Sequence, residues 1–460
     1  MTTLYCAPWV LPVSSPAIAD GAIAVEGQLI ISVGSRAALV TEFSQATIRD
    51  FEESAIIPGL VNAHSHLELT AMRGFLENEE TDFFAWLRKL TLARMERMTA
   101  DDLNVSAAWG ACEAARAGVT CVADASDSAL ESMNALRDVG LRGIVFQESF
   151  GPDPRLAKEN FEKLQTKVAR LRERETSLVK CGVSPHAAYS VCAPQLEMIA
   201  GFSVTESLPL MMHAAETAME VSLLRGGRGP FAEGLRSRGI EWCAPNVSTI
   251  QYLNDHGILK TRPLLAHCIH VDEADLETLK QTETRVAHCP KSNAKLGHGV
   301  APLRKMIEKR IAVGLGSDSV ASNNLCDLLE EARFALLLAR ADAEDETGEL
   351  DENAAPGNRR LNADTVFQTA TLGGASALGL EGQVGELREG LQADFAVIAL
   401  NGPHQIPSYD PVSTLIFASS GRDVRLTVVA GREVYCEGRI TMVDEERLRG
   451  RMKEIAGKIQ

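Results

Sequence analysis

The sequence predicts an α/β protein: a (β/α)8 barrel of the TIM type, with a small β-sandwich-like domain formed from both chain ends. Residues 56–380 alternate short apolar runs with longer helical patterns, as βα units do. Eight apolar runs are found there, and six of the ten histidines stand at or just past their ends. Residues 1–55 and 381–460 instead carry short β-rich runs with turns, so the simplest arrangement joins them into one domain. The periodicity alone leaves a doubly wound sheet open.

Taken in order, "AIAVEGQLIISVG" splits at Glu26-Gly27 and reads as a hairpin. The eight barrel candidates follow: "AIIPGLVNA", "VTCVADA", "RGIVFQES", "KCGVSPHAA", "LPLMMHAAE", "PLLAHCI", "TRVAHCP" and "IAVGLGSDS". After the first comes an insertion at about 81–99. There "TDFFAWLRKLTLARMERMTADDL" reads as helix, with Thr81 or Asp82 as N-cap, long enough to cover a barrel mouth. "AEDETGELDENAAPGNRR" reads as a solvated loop, and "RGGRGPFAEG", lacking the P-loop lysine and the Rossmann spacing, as a loop between barrel elements. "LQADFAVIAL" and "DVRLTVVAGREVYCEGRI" return to β pattern, the latter turning at Ala430-Gly431. The final "DEERLRGRMKEIAGKI" is a charged amphipathic helix, grouped by position with the end domain.

The bulk properties restrict function. A formal charge of −16 disfavours nucleic acid and anionic membranes as partners. No apolar stretch is long enough to span a bilayer, and "MTTLYCAPWVLPVSS" lacks the basic start of a signal peptide. The ten cysteines are scattered through apolar contexts without a CxxC pair, which predicts a reduced, cytoplasmic protein and excludes a zinc ribbon. No GxSxG elbow supports a serine hydrolase.

Side chains alternate along a strand, so His64 and His66 of "VNAHSHLELT" share a face. Alone, this pair fits a polar loop as well as a ligand pair. His186, His213, His267 and His288 lie at other strand ends, and Asp318 ends the eighth; in a barrel these side chains converge on one mouth. Imidazole and carboxylate are ligands for Zn²⁺ or Fe²⁺. His64, His66, His213 and Asp318 supply that chemistry. His186 and His288 are expected to line the pocket. Lys291, Ser292 and Asn293 are read as shaping a turn, His270 as structural, and His256, His298 and His404 as non-catalytic.

The set "HSH", "HAAE", "LAHCIH", "HCPKSN" and "GLGSDSVASNN" resembles the amidohydrolase superfamily, and within it the mononuclear branch of aromatic-base deaminases. The likeness runs over nearly the whole chain. A histidine in "KCGVSPHAAYS", where the two-metal branch has a carboxylated lysine, implies one divalent ion, Zn²⁺ with Fe²⁺ as the alternative. The resemblance assigns His64, His66, His213 and Asp318 as metal ligands and Glu216 as proton shuttle. His267 would orient the attacking water, and Asp318 would also take its proton.

"HLELTAMRG" with "FFAWLRKLTLARME" looks closest to deaminases of adenosines altered at the 5′ position. Among these it is nearer the aminodeoxyfutalosine deaminases of menaquinone synthesis than the methylthioadenosine/adenosylhomocysteine enzymes. In the latter a glutamate after the tryptophan helix holds the ribose; here Met95 falls at that position, with Glu96 beside it. Trp86, Met95 and Arg73 are therefore expected substrate neighbours, with Arg88 and Arg94 as further candidates for a carboxylate tail. A deaminase of guanine, cytosine or a pterin, a triazine chlorohydrolase, and a metal-free binding barrel are the alternatives, the last requiring a missing ligand or shuttle. The expected partners are a small-molecule substrate and a second copy of the chain.

Overall fold

The computed structural model describes residues 1–342 and 361–460; the acidic stretch read above as a solvated loop lies outside the described residues. Eight parallel strands form the centre: β1 (Leu60–Ser65), β2 (Val119–Ser126), β3 (Arg142–Ser149), β4 (Val179–Pro185), β5 (Met211–Ala214), β6 (Leu264–His267), β7 (Arg285–His288) and β8 (Val313–Leu315). They pair in sequence order as two quartets, β1 to β4 and β5 to β8. The seams are bridged at Val183–Leu210 and Ala187–His213 on one side, and at Ser65–Asp318 on the other. β2 and β3 are buried at every position, their polar residues Asp124, Arg142, Gln147 and Glu148 included.

The first predicted strand proves to be two. Ser54–Pro58 pairs with Phe395–Ala399 in the sheet of the chain ends, and only after Gly59 does the chain enter the barrel as β1. Gly59 permits the crossing, because a Cβ there would lie 2.1 Å from Thr120 Oγ1. The junction therefore falls a few residues after the expected boundary at 55/56.

Nine strands from both ends form one hydrogen-bonded sheet. The hairpin at Gly27 pairs Glu26 with Leu29, and the hairpin at Ala430-Gly431 pairs Val429 with Arg432. Both turn residues of the second have positive φ, as a type I′ turn needs. The sheet is tied to the barrel through Asp394. It takes a bidentate pair from Arg142 at the foot of β3 (2.8 and 3.1 Å) and a backbone bond from Ala430 (2.7 Å).

The insertion after β1 forms two helices rather than one. α1 (Phe83–Arg97) is capped by Asp82, which accepts from the Ala85 amide. The chain leaves helical geometry at Met98, and Thr99 with Asp102 closes a capping box on α2 (Ala100–Arg116). α1 buries Phe83, Trp86, Leu90 and Ala93, one face at helical spacing. The C-terminal helix α3 (Glu445–Ile459) does not stay with the end sheet. It sets Ile455 and Ile459 into the apolar cluster beneath α1, and Lys458 bonds Asp102 at 2.8 Å. All ten cysteines are free, and no helix among the described residues is long and apolar enough to cross a membrane.

Candidate active site

The C-terminal strand ends surround a cavity of about 580 Å³ whose lining includes His66, His213, Glu216, His267 and Asp318. The strand ends are bent to aim these groups inward. His267 and Asp318 adopt left-handed backbone angles (φ 72° and 54°), as does Ala215 (φ 52°) just before Glu216. Such conformations are costly for residues with a Cβ and collect at functional sites.

The donor atoms fall in two groups that share His64, one with His66 and His213 and the other with His267 and Asp318. His66 Nε2 is 3.1 Å from His213 Nε2, while Asp318 Oδ1 is 3.4 Å from His64 Nε2 and 3.5 Å from His66 Nε2. Zinc bonds of about 2.0–2.2 Å at tetrahedral angles put donors roughly 3.3–3.6 Å apart, so these three separations suit ligands of a single ion. The donors are also in the state an ion requires. His213 Nδ1 lies 3.0 Å from the His186 carbonyl, which fixes the tautomer with Nε2 as a lone pair. His64 Nε2 is buried without a hydrogen-bond partner. Burial pushes His64 and His213 below the usual histidine range and takes His66 down to about 4, which favours the unprotonated rings a cation needs. Asp318 is held well below the carboxylate range: burial opposes this, but the neighbouring His64, His267 and His66 outweigh it.

Glu216 stands opposite. Its Oε1 is 3.6 Å from His267 Nε2, and burial raises its pKa. Its backbone is pinned by Glu220, a fully buried carboxylate that accepts from the Ala215 and Glu216 amides (3.2 and 3.1 Å). His267 passes its Nδ1 to Asn293 Oδ1 at 2.9 Å. Burial lowers its pKa, but the nearby Glu216 and Asp318 carboxylates reverse the sign and raise it.

Several expectations are revised by these positions. Ser292 and Asn293 belong to a short helix, Pro290–Lys295, and both face the site rather than shaping a turn. Ser292 donates to Asp318 Oδ2 at 2.5 Å, joined by Ser322 at 3.0 Å. His298, read as non-catalytic, is packed behind the site, with Nε2 3.8 Å from Glu216 Oε1 and its ring edge-on to Phe83. His186, Trp86 and Met95 line the cavity as expected. His288 does not: it is buried at the end of β7, outside the cavity lining. Arg73 does not either, because it turns away to pair with Glu113. Arg88 is exposed and outside the lining. Arg94 reaches the cavity but is held by Glu68 and Asp127, each at 2.8 Å.

The remaining walls are aromatic. Phe83 stacks with Trp86 on one side and Tyr189 with Phe231 on another, which suits a flat heterocycle. Phe231 comes from the stretch read as a loop, where a helix, Pro230–Ser237, begins, and Arg238 caps the end of that helix. Lys163, Lys167 and Arg238 bring positive charge to the cavity.

Comparison with known proteins agrees with this geometry. Residues 55–434 match the profile of the Amidohydrolase family. A 5-methylthioadenosine/S-adenosylhomocysteine deaminase of Nitratidesulfovibrio vulgaris (strain Miyazaki F) is 32% identical over 95% of this chain and 92% of its own. The protein of that name from Haloarcula marismortui is 31% identical over 89% and 88%. Among solved structures, an adenosine deaminase from Xanthomonas campestris with bound zinc superposes with a TM-score of 0.85 at 25% identity, covering 99% of this chain and 98% of that one.

Proposed function

The chain belongs to the amidohydrolase family, and on that premise we propose that it hydrolytically removes the amino group of adenine from a 5′-modified adenosine. The coarser class is secure: it is a hydrolase of carbon–nitrogen bonds. One observation carries the rest. Two carboxyls in the same cavity have their pKa values pushed in opposite directions, Glu216 up and Asp318 well down. Separated pKa values assign an acid and a base.

His64, His66, His213 and Asp318 would hold the cation. A divalent ion there supplies Lewis acidity, bringing water within reach of ionisation at neutral pH. Asp318 takes a proton from the attacking water, whose oxygen bonds to the amino-bearing ring carbon. Glu216 gives its proton to the adjacent ring nitrogen, so that this carbon accepts the new bond. His267, fixed by Asn293, orients the water. Protons then pass through the same carboxyls to the amino group, the carbon–nitrogen bond breaks, and ammonia leaves. Adenine nucleoside and water become hypoxanthine nucleoside and ammonia.

The names of the relatives in the comparison support an adenosine altered at the 5′ position. The exposed cations Lys163 and Arg238 support a tail that carries a carboxylate, as aminodeoxyfutalosine and adenosylhomocysteine do and methylthioadenosine does not, whereas Lys167 is held by Asp127 at 2.7 Å. The test follows the ultraviolet change from adenine to hypoxanthine on adenosine and those three compounds in parallel. The acid-bearing substrates should be turned over with the highest kcat/KM. Equal rates on all four would remove the tail assignment, and turnover of guanine or a pterin alone would remove the adenine reading.

A further inference from the structure

Glu148 differs from the other carboxylates of the cavity. It ends β3 one residue before Ser149, lines the cavity, and is 6% exposed. Its Oε1 is buried without any hydrogen-bond partner. Two neighbouring carboxylates are engaged by hydrogen bonds. Glu68 accepts from Arg94, Ser126 and the Ser128 amide, and Asp127 from Arg94 and Lys167. A buried carboxyl oxygen left unpaired costs stability, so one retained at a cavity wall calls for a partner there.

A second cation is not that ligand. A carboxylate oxygen of Glu148 lies within 4.8 Å of ring nitrogens of His186 and His213. However, His213 Nε2 is already directed at His66 and the first ion site, and its Nδ1 serves the His186 carbonyl. An ion beside Glu148 would have to share a donor with the first.

An organic group with a hydrogen to donate is the alternative. If the substrate is an adenine nucleoside, the ring has no N–H beyond the amino group that reacts, so the donor must belong to the sugar or the tail. The helix above the cavity does not serve the sugar. α1 presents Phe83, Phe84, Trp86, Leu87, Leu90 and Met95; its Arg94 is spent, and Thr91 Oγ1 bonds the Leu87 carbonyl. On the geometry of the cavity we infer that Glu148 is a specificity-determining residue that accepts a hydrogen bond from a ribose hydroxyl of the substrate. This rests on the adenine-nucleoside reading above.

The test pairs substrate and protein changes, using the zinc-loaded full chain. Wild type, Glu148→Ala and Glu148→Met are assayed on one ribosyl substrate and on its 2′-deoxy and 3′-deoxy forms. Wild type should lose roughly 2- to 10-fold in kcat/KM on one deoxy form, the range for a hydrogen bond between neutral groups, since burial and the nearby Glu68 raise the Glu148 pKa well above the carboxylate range. Both variants should lose a similar factor on the ribosyl substrate and show no further loss on that deoxy form. Glu148→Met, of similar size and without an acceptor, should also unfold at a Tm no lower than the parent. If the deoxy penalty persists unchanged in the variants while adenine nucleosides are turned over, this assignment alone fails. If wild type turns over no adenine nucleoside, the functional reading fails and takes this assignment with it.

Discussion

At the floor of the cavity, the functional side chains leave strand ends or the turns just after them, and their second polar atoms are tied down. His213 is held by the His186 carbonyl, His267 by Asn293, and Asp318 by Ser292 and Ser322. At the rim the pattern is reversed. Met95 of α1 is 70% exposed, Phe84 and Leu92 are also exposed, and the Lys163 side chain is 64% exposed with only an i,i+4 partner in Glu159. The floor is built to fix the positions of reacting atoms, where small displacements cost rate. The rim is a surface helix and its neighbours, where change alters fit without touching chemistry. Substitutions should therefore act on kcat at the floor and on KM at the rim.

The largest effect tests the floor itself. His213→Ala removes a cation donor and should abolish both bound zinc and turnover while leaving the barrel folded; elemental analysis and circular dichroism read the two separately. Retained zinc would break the ligand assignment. Next comes Glu216→Gln, which keeps the shape but not the proton. A loss of roughly 10²–10⁴-fold in kcat is expected, with zinc content unchanged. Near-native kcat would move the shuttle elsewhere.

A smaller loss belongs to the layer behind. Ser292→Ala leaves Asp318 Oδ2 with Ser322 alone, and such outer partners commonly change metal affinity or activity by roughly 10–100-fold. Competition with a chelator of known affinity measures it, and unchanged affinity would show that Ser322 suffices. The smallest effect is at the rim. Lys163→Ala should raise KM a few-fold for an acid-tailed substrate and leave kcat alone, with the difference fading in high salt because an exposed charge is screened. A fall in kcat there would erase the contrast between floor and rim.

The floor was legible in the sequence because its chemistry is tied to the strands. Buried parallel strands read as apolar runs, and the histidines at the ends of five of them (β1, β4, β5, β6 and β7) are conspicuous against them. The rim was less legible. Arg73 is close to the barrel mouth along the chain yet pairs with Glu113, since sequence proximity does not set the direction of a side chain. The Pro58-Gly59 turn is readable inside the apolar run, but not that it separates two sheets, because both strands it joins are equally apolar. Ser292 and Asn293 were read as a turn, although a short helix from Pro290 aims both at the site. Glu148 carries a signal of the same kind: "RGIVFQES" ends in a carboxylate beside Ser149, just as other runs end in histidine. The break between α1 and α2 was also marked, by Thr99 and Asp102 at capping-box spacing.

The central claim is that one ion and the two carboxyls beside it deaminate an adenine ring. Titrating metal-free protein with zinc while following adenine-to-hypoxanthine conversion tests it most directly. Activity should rise in proportion to zinc, level off at one equivalent per chain, and release one ammonia per hypoxanthine formed. Turnover in the metal-free protein, or a plateau only at two equivalents, would contradict it.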